Sequence, residues 1–339
     1  MNELINFDSL YDSMRKCKLG VEWKANVAHY TLNAMEETLR LEDELLNGTY
    51  KSRKVTHFTL YCPKKRDIAC ISFRDRVYQR CLNDNILYPE ITRHFIYDNA
   101  ACQKGKGTDF ARNRLKEFLH SYYRMHGRKG YVSQFDIHGY YPNMSHEIGE
   151  GIFRNYFNDE IYNQVLSILH YQYPIEIGYN PGSQLIQLIG IGILNDLDHY
   201  IKEQLHIRYY IRFMDDFILI HDDLNYLEEC TEKIKKKLKE KQMTCNEKKT
   251  KIYPLSEGIP FLGFNFRLTE TGKVVMLIDP KNVKNERKRL RRLVNLCRKG
   301  RTDYETVRQC YESWKAHACK GNSFNLLKRM DEYYNRLWR

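Results

Sequence analysis

In the stretch YYIRFMDDFILIHDD, residues 209–223, Asp215 and Asp216 interrupt a run that is otherwise apolar and rich in β-branched and aromatic residues. Such a run forms strands. Neighbouring carboxylates repel each other, and burying one is costly unless something compensates it. The stretch therefore reads as a hairpin with Asp215 and Asp216 at its tip. Aspartate is common in turns, so a solvated tip is the plain reading of an isolated pair. Asp222 and Asp223 keep that reading, as an exposed strand end. The dense apolar flanks of Asp215 and Asp216 instead call for a nearby positive charge.

The rest of the chain mixes long helices with hairpins. Residues 1–50 carry helical spacing that stops at Asn47–Gly48. Residues 54–73 alternate as a hairpin with a basic turn from Pro63 to Asp67. A helix is expected from Asp75 to Leu87, then a loop through HFIYDNAACQKGKGTD and a helix over 109–126. GYVSQFDIHGYYPNM reads as a strand that ends at Asp136. Helix is expected over 145–170, a loop through PIEIGYNPGSQ, and one helix from Gln184 to Leu205. After the hairpin come a basic amphipathic helix over 224–242, short strands in TKIYPL, PFLGFNFRL and KVVMLI, and helices beyond Pro280. This is no regular βαβ alternation, so the fold class is α+β.

The chain has 339 residues and a formal net charge of +12, enough for two or three structural units and suited to a polyanionic partner. KNVKNERKRLRRLVNLCRKGR, residues 281–301, has ten Lys or Arg against Glu286 alone, with Leu290, Leu293, Val294 and Cys297 at helical spacing. One face of that helix would pack and the other track phosphates, although a charge run is more often a solvated face. The ten cysteines show no C-x-x-C spacing, which argues against zinc and for reduced thiols. MNELINFDSL has no apolar run of a secretory segment, and LIQLIGIGIL is too short to span a bilayer. The expected location is cytoplasmic, with no membrane partner.

Acids on separate strands suit hard divalent cations, and paired ions can stabilise both oxygens of a phosphoryl transfer. FMDD between YYIR and FILI resembles the catalytic motif of reverse transcriptases, with Phe213 where Tyr is usual. FDIHGYYPNM is similar to the family's first catalytic motif. GSQ before an apolar helix, NEKKTKI and FLGF resemble later motifs, and PKKRDIACISFRDRVYQ resembles the fingers segment of bacterial non-LTR enzymes. The resemblance implies a right-hand polymerase: an N-terminal helical extension over 1–50, fingers over 51–131, a palm with an antiparallel sheet over 132–277 (143–170 returning to the fingers), and a short helical thumb over 278–339.

It also implies roles. Asp136 and Asp215 would hold two Mg²⁺ ions, for which Mn²⁺ may substitute, with Asp216 assisting and the Ile137 carbonyl completing a shell. Lys249 would protonate departing pyrophosphate. Lys64, Lys65 and Arg66 would grip the dNTP triphosphate. Tyr141 would exclude a 2′-OH, and Ser183 and Gln184 would line the nucleotide pocket. Phe261, Leu262 and Gly263 would support the primer end, with Lys284 and Lys288 on primer and template. Each has a plainer alternative: solvated turn for the fingers cations, core filling for Tyr141, a helix N-cap for Ser183. IGYNPGSQ resembles the enzymes of diversity-generating retroelements, and the overall layout resembles stand-alone antiphage reverse transcriptases. Both imply a structured noncoding RNA template and an accessory protein or self-association. The rival readings are an RNA-dependent RNA polymerase and a catalytically silent nucleic-acid-binding scaffold.

Overall fold

The structure, a computed structural model, describes residues 3–61, 66–180 and 182–339, and of Arg66 the backbone alone. Lys64, Lys65 and the Arg66 side chain thus lie outside the described residues. Three helices open the chain, α1 (Phe7–Lys18), α2 (Ala25–Leu32) and α3 (Ala34–Leu46). A hairpin of β1 (Thr56–Leu60) and β2 (Arg66–Cys70) follows. Then come α4 (Phe73–Leu82), a π-turn over Asn83–Leu87, α5 (Tyr88–Thr92) and α6 (Thr108–His126). After β3 (Tyr131–Asp136) stand α7 (His146–Tyr156), α8 (Asp159–Gln172), α9 (Gln184–Gly192) and α10 (Asn195–His199), which runs into a second π-turn over Tyr200–Gln204. The acid-bearing hairpin is β4 (Tyr209–Phe213) and β5 (Asp216–His221). The chain continues through α11 (Leu224–Glu240), β6 (Lys251–Pro254), β7 (Ile259–Phe261), β8 (Phe264–Leu268) and β9 (Val274–Ile278). It finishes with α12 (Pro280–Arg298), α13 (Tyr304–Ala318) and α14 (Phe324–Trp338).

The central sheet is antiparallel, in the order β4-β5-β3-β6. Antiparallel strands usually alternate apolar and polar residues because one face meets water. Here both faces are covered, which explains the nearly continuous apolar runs. Phe135, Tyr210, Phe217 and Leu219 face one core, shared with Leu227, Cys230 and Ile234 of α11. Val132, Tyr209, Ile211, Ile218 and Ile220 face a second core, built with α6, the β7-β8-β9 sheet and α12–α14. The N-terminal helices belong to the first core: Leu10 and Met14 of α1 join Val77 and Cys81 of α4 there.

The α+β class holds, and four details differ from expectation. The helical pattern over 1–50 divides into three helices. The span 145–170 breaks at Asn158, whose side chain caps α8 by accepting from the Ile161 N–H. The helix expected over 184–205 ends at Gly192 and resumes as α10 and a π-turn. The hairpin tip is Met214–Asp215, because Phe213 pairs with Asp216 across a two-residue loop. Asp216 is thus already strand. No helix among the described residues is long and apolar enough to cross a membrane. The nine cysteines among those residues are free thiols.

Candidate active site

Strand register brings the acids together. Asp136 ends β3 directly opposite Asp216, the first residue of β5. Residues of like parity share a face of a sheet, so both side chains leave on the face of Val132 and Ile218. Directly paired residues have Cβ atoms about 4.5–5.5 Å apart. Asp215 lies one residue back in the loop, and its carbonyl accepts from the Ile137 N–H at 3.3 Å. Met214 takes φ 58°, a left-handed conformation that glycine ordinarily supplies at the first position of such a loop.

The backbone around Asp136 is pinned from a third segment. Its N–H donates to Thr250 Oγ1 at 3.3 Å, and its carbonyl accepts from the Asn246 N–H at 2.7 Å. The same segment delivers Lys249, whose Nζ sits 2.5 Å from Asp136 Oδ2. That contact pushes the Lys249 ammonium above its ordinary range. One ammonium does not neutralise three acids. Burial, then the charges of Asp215 and Asp136, pushes Asp216 up to about 7. Burial, with Asp136 adding, also raises Asp215.

These acids fit a hard divalent cation. Their donors are carboxylate oxygens, and burial, with Asp215 and Asp136 adding, makes the charged form of Asp216 costly without a counter-charge. Among the described residues, no three His, Cys, Asp or Glu side chains form a ready cage for an ion. Mg²⁺ seldom needs one: it commonly takes one or two carboxylates and completes its shell with substrate phosphates and water.

Tyr141 stands beside this edge. It is half-buried, and a Cβ on Gly190 of α9 would come within 2.5 Å of its Oη. Burial, with Asp215 adding, raises its phenol above the usual range. Ser183 caps α9, its Oγ accepting from the Ile186 N–H at 3.2 Å. Gln184 begins the helix. Its Oε1 is buried without a partner, and it lines a cavity of about 250 Å³ together with Cys102, Lys104 and Gln187.

Phe261 is buried and packs in the second core. Leu262 (φ 47°) and Gly263 (φ 85°) form the two-residue turn between β7 and β8. The Pro260 carbonyl accepts from Gln134 Nε2 at 2.8 Å, which ties this hairpin to the strand ending at Asp136. His317 of α13 closes over Gly263, where a Cβ would lie 3.3 Å from its Nε2. Lys284 and Lys288 line a groove of about 1040 Å³ between α12 and the start of α14, with Arg287, Arg291, Arg329 and the exposed Phe324. Among the described residues, no acid lines this groove.

Sequence reasoning missed two features beside the site. Gly190 leaves the space into which the Tyr141 ring fits. Arg212 and Asp198 form a fully buried ion pair behind the Met214 loop. A charged residue inside an apolar strand was the available signal for Arg212, but a lone arginine in β4 also suits an exposed position.

A family model described as reverse transcriptase (RNA-dependent DNA polymerase) matches residues 52–266, well over half of the chain and all of the segments carrying the acids. No curated protein matches in sequence. Among solved structures, apo telomerase from Candida tropicalis truncated from its C-terminal domain aligns with a TM-score of 0.49 at 13% identity, covering 66% of this chain and 54% of that one. Telomerase from Candida albicans in complex with the TWJ fragment of telomeric RNA aligns with a TM-score of 0.44 at 13% identity, covering 71% and 48%. The chain thus spans about half the length of these two proteins.

Proposed function

Since the chain belongs to the reverse transcriptase family, we propose that it is an RNA-directed DNA polymerase that extends a primer 3′-OH with dNTPs on an RNA template. The observation carrying this reading is the register pairing of Asp136 with Asp216, Asp215 adjacent, at the end of a sheet buried on both faces. Asp136 and Asp215 would hold two Mg²⁺ or Mn²⁺ ions, with Asp216 and the Ile137 carbonyl in support. Bound there, such cations supply positive charge to the attacking and leaving oxygens of phosphoryl transfer.

The remaining steps fall to the chain. Lys249, already protonated on Asp136, is the acid for the leaving pyrophosphate. Tyr141 occupies the space a ribose 2′-OH would need. Gln184 offers an unpaired Oε1 near the nucleotide, while Ser183 shapes the helix start. Lys64, Lys65 and Arg66 grip the triphosphate. The Phe261–Gly263 turn backs the primer end, and Lys284 and Lys288 meet backbone phosphates. In this reading 51–131 and 143–170 are fingers, the rest of 132–277 palm, 278–339 thumb and 1–50 an N-terminal extension. The working context is a diversity-generating retroelement or an antiphage system, with a structured noncoding RNA and an accessory protein or a second copy as partners.

Purified protein on poly(rA)/oligo(dT) with Mg²⁺ or Mn²⁺ tests this directly. Incorporation of dTTP well above UTP is expected, and Asp136→Asn or Asp215→Asn abolishes it. Preferential use of UTP would make the chain an RNA polymerase instead, and dTTP incorporation that survives both substitutions would remove the assigned centre.

A further inference from the structure

We propose that Arg212 is a positioning residue: its buried guanidinium holds the left-handed Met214 loop, so that it sets where Asp215 presents its carboxylate and ties that loop to the helix begun by Ser183 and Gln184. The inference rests on the metal-binding reading of Asp215.

Arg212 and Asp198 are both fully buried. Arg212 Nε donates to Asp198 Oδ1 at 2.8 Å and Nη2 to Oδ2 at 2.6 Å, a side-on fork. Tyr210 Oη donates to the same Asp198 Oδ1 at 2.5 Å. Two more Arg212 N–H groups donate to backbone carbonyls. Nη2 reaches the Ile191 carbonyl at 2.9 Å, near the end of α9, and Nη1 reaches the Met214 carbonyl at 3.1 Å. One planar group therefore touches the helix that begins at Gln184 and the loop that carries Asp215.

The arginine backbone is itself immobilised. Its N–H donates to the Asp98 carbonyl at 3.1 Å, and its carbonyl accepts from the Ala100 N–H at 2.9 Å. Asn99 Nδ2 donates to the same Ile191 carbonyl at 3.2 Å. The guanidinium is thus a rigid arm rather than a tether. Rigidity matters because a non-glycine residue in the left-handed region is strained and persists only where its surroundings over-determine it. The Met214 carbonyl is the atom through which Arg212 does so. Lysine cannot replace it: an ammonium on one stem pairs with Asp198 but cannot also span both carbonyls.

Mn²⁺ binding, followed by electron paramagnetic resonance of the free ion, tests the assignment without requiring turnover. Wild-type protein should bind Mn²⁺ and Asp215→Asn should not. Arg212→Lys should weaken Mn²⁺ binding about tenfold or more, the usual effect of losing a group that orients a metal ligand, with melting within a few degrees of wild type. Primer extension should show a lower kcat with a nearly unchanged KM for dTTP. Adding Met214→Gly, which supplies the loop conformation without strain, should restore much of the lost affinity. Mn²⁺ affinity unchanged in folded Arg212→Lys, or lost affinity that Met214→Gly fails to restore, would overturn the assignment. If Arg212→Lys does not fold, the double variant Arg212→Gln/Asp198→Asn, neutral and too short to reach Met214, should show the same loss, and unchanged affinity in it counts against the assignment. Wild type that neither binds Mn²⁺ nor extends a primer removes the proposed function itself, a result distinct from failure of the arginine variants alone.

Discussion

At the scale of single residues, the proposed sugar gate turns on how closely Tyr141 lies against Gly190. Glycine inside a helix costs about 1 kcal/mol relative to alanine, and α9 accepts that cost where a Cβ would meet the Tyr141 ring. Tyr140 braces the same point, donating from Oη to the Gly190 carbonyl at 2.6 Å. Two substitutions read the ring's position independently. Tyr141→Val removes it, and Gly190→Ala displaces it while favouring helix. Both should raise UTP incorporation relative to dTTP, by roughly tenfold for the loss of one steric contact of about 1.4 kcal/mol. A ratio unmoved in both variants discards the gate. The acids were legible in the sequence because ionised groups stand out in apolar strands. Gly190 was not, since a glycine in an apolar helix carries no sign of what fills the space beside it.

At the scale of elements, types were more legible than ends. α6, α11 and α12 begin and end close to where periodicity and charge place them. Breaks inside long helical patterns were missed: α9 stops at Gly192 although apolar Ile193 and Leu194 follow it directly. Asn158 was a readable N-cap, a short polar residue followed by Asp159 and Glu160 in the first turn. On α12, Glu286 is buried together with Leu290 and Val294, so the cations occupy the outer faces. Among the described residues neither Lys284 nor Lys288 has an ion-pair partner, in contrast to Lys315 on α13, which pairs with Asp331. Unpaired cations displace counterions when they meet phosphates. Lys284→Ala/Lys288→Ala should therefore weaken binding of a labelled RNA–DNA duplex and flatten its dependence on log[KCl] by about 2. Anisotropy titrations across a KCl series measure that slope, and an unaltered slope takes these lysines out of the interface.

At the scale of the molecule, the first fifty residues share a core with the rest. Ile5, Leu10, Met14, Val27, Tyr30, Leu41 and Leu45 are buried with Phe73, Val77, Tyr78 and Cys81 in one cluster. Fully burying one such side chain is worth about 1.5–3 kcal/mol, and native proteins are stable by only about 5–15 kcal/mol. Deletion of residues 2–50 should thus give protein that aggregates or melts without cooperativity, as read by size exclusion and circular dichroism. A truncated protein with a wild-type melting curve would show this cluster to be dispensable. The sheet order has a consequence for biosynthesis. β3 lies between β5 and β6, and β6 begins only at Lys251. A nascent chain has both aspartate strands before it has the residues that flank Asp136 from the far side, and most of the second core emerges last of all. A product that ends before that point leaves the β3 edge unpaired and the acidic end unlined, a template for pairing with its neighbours.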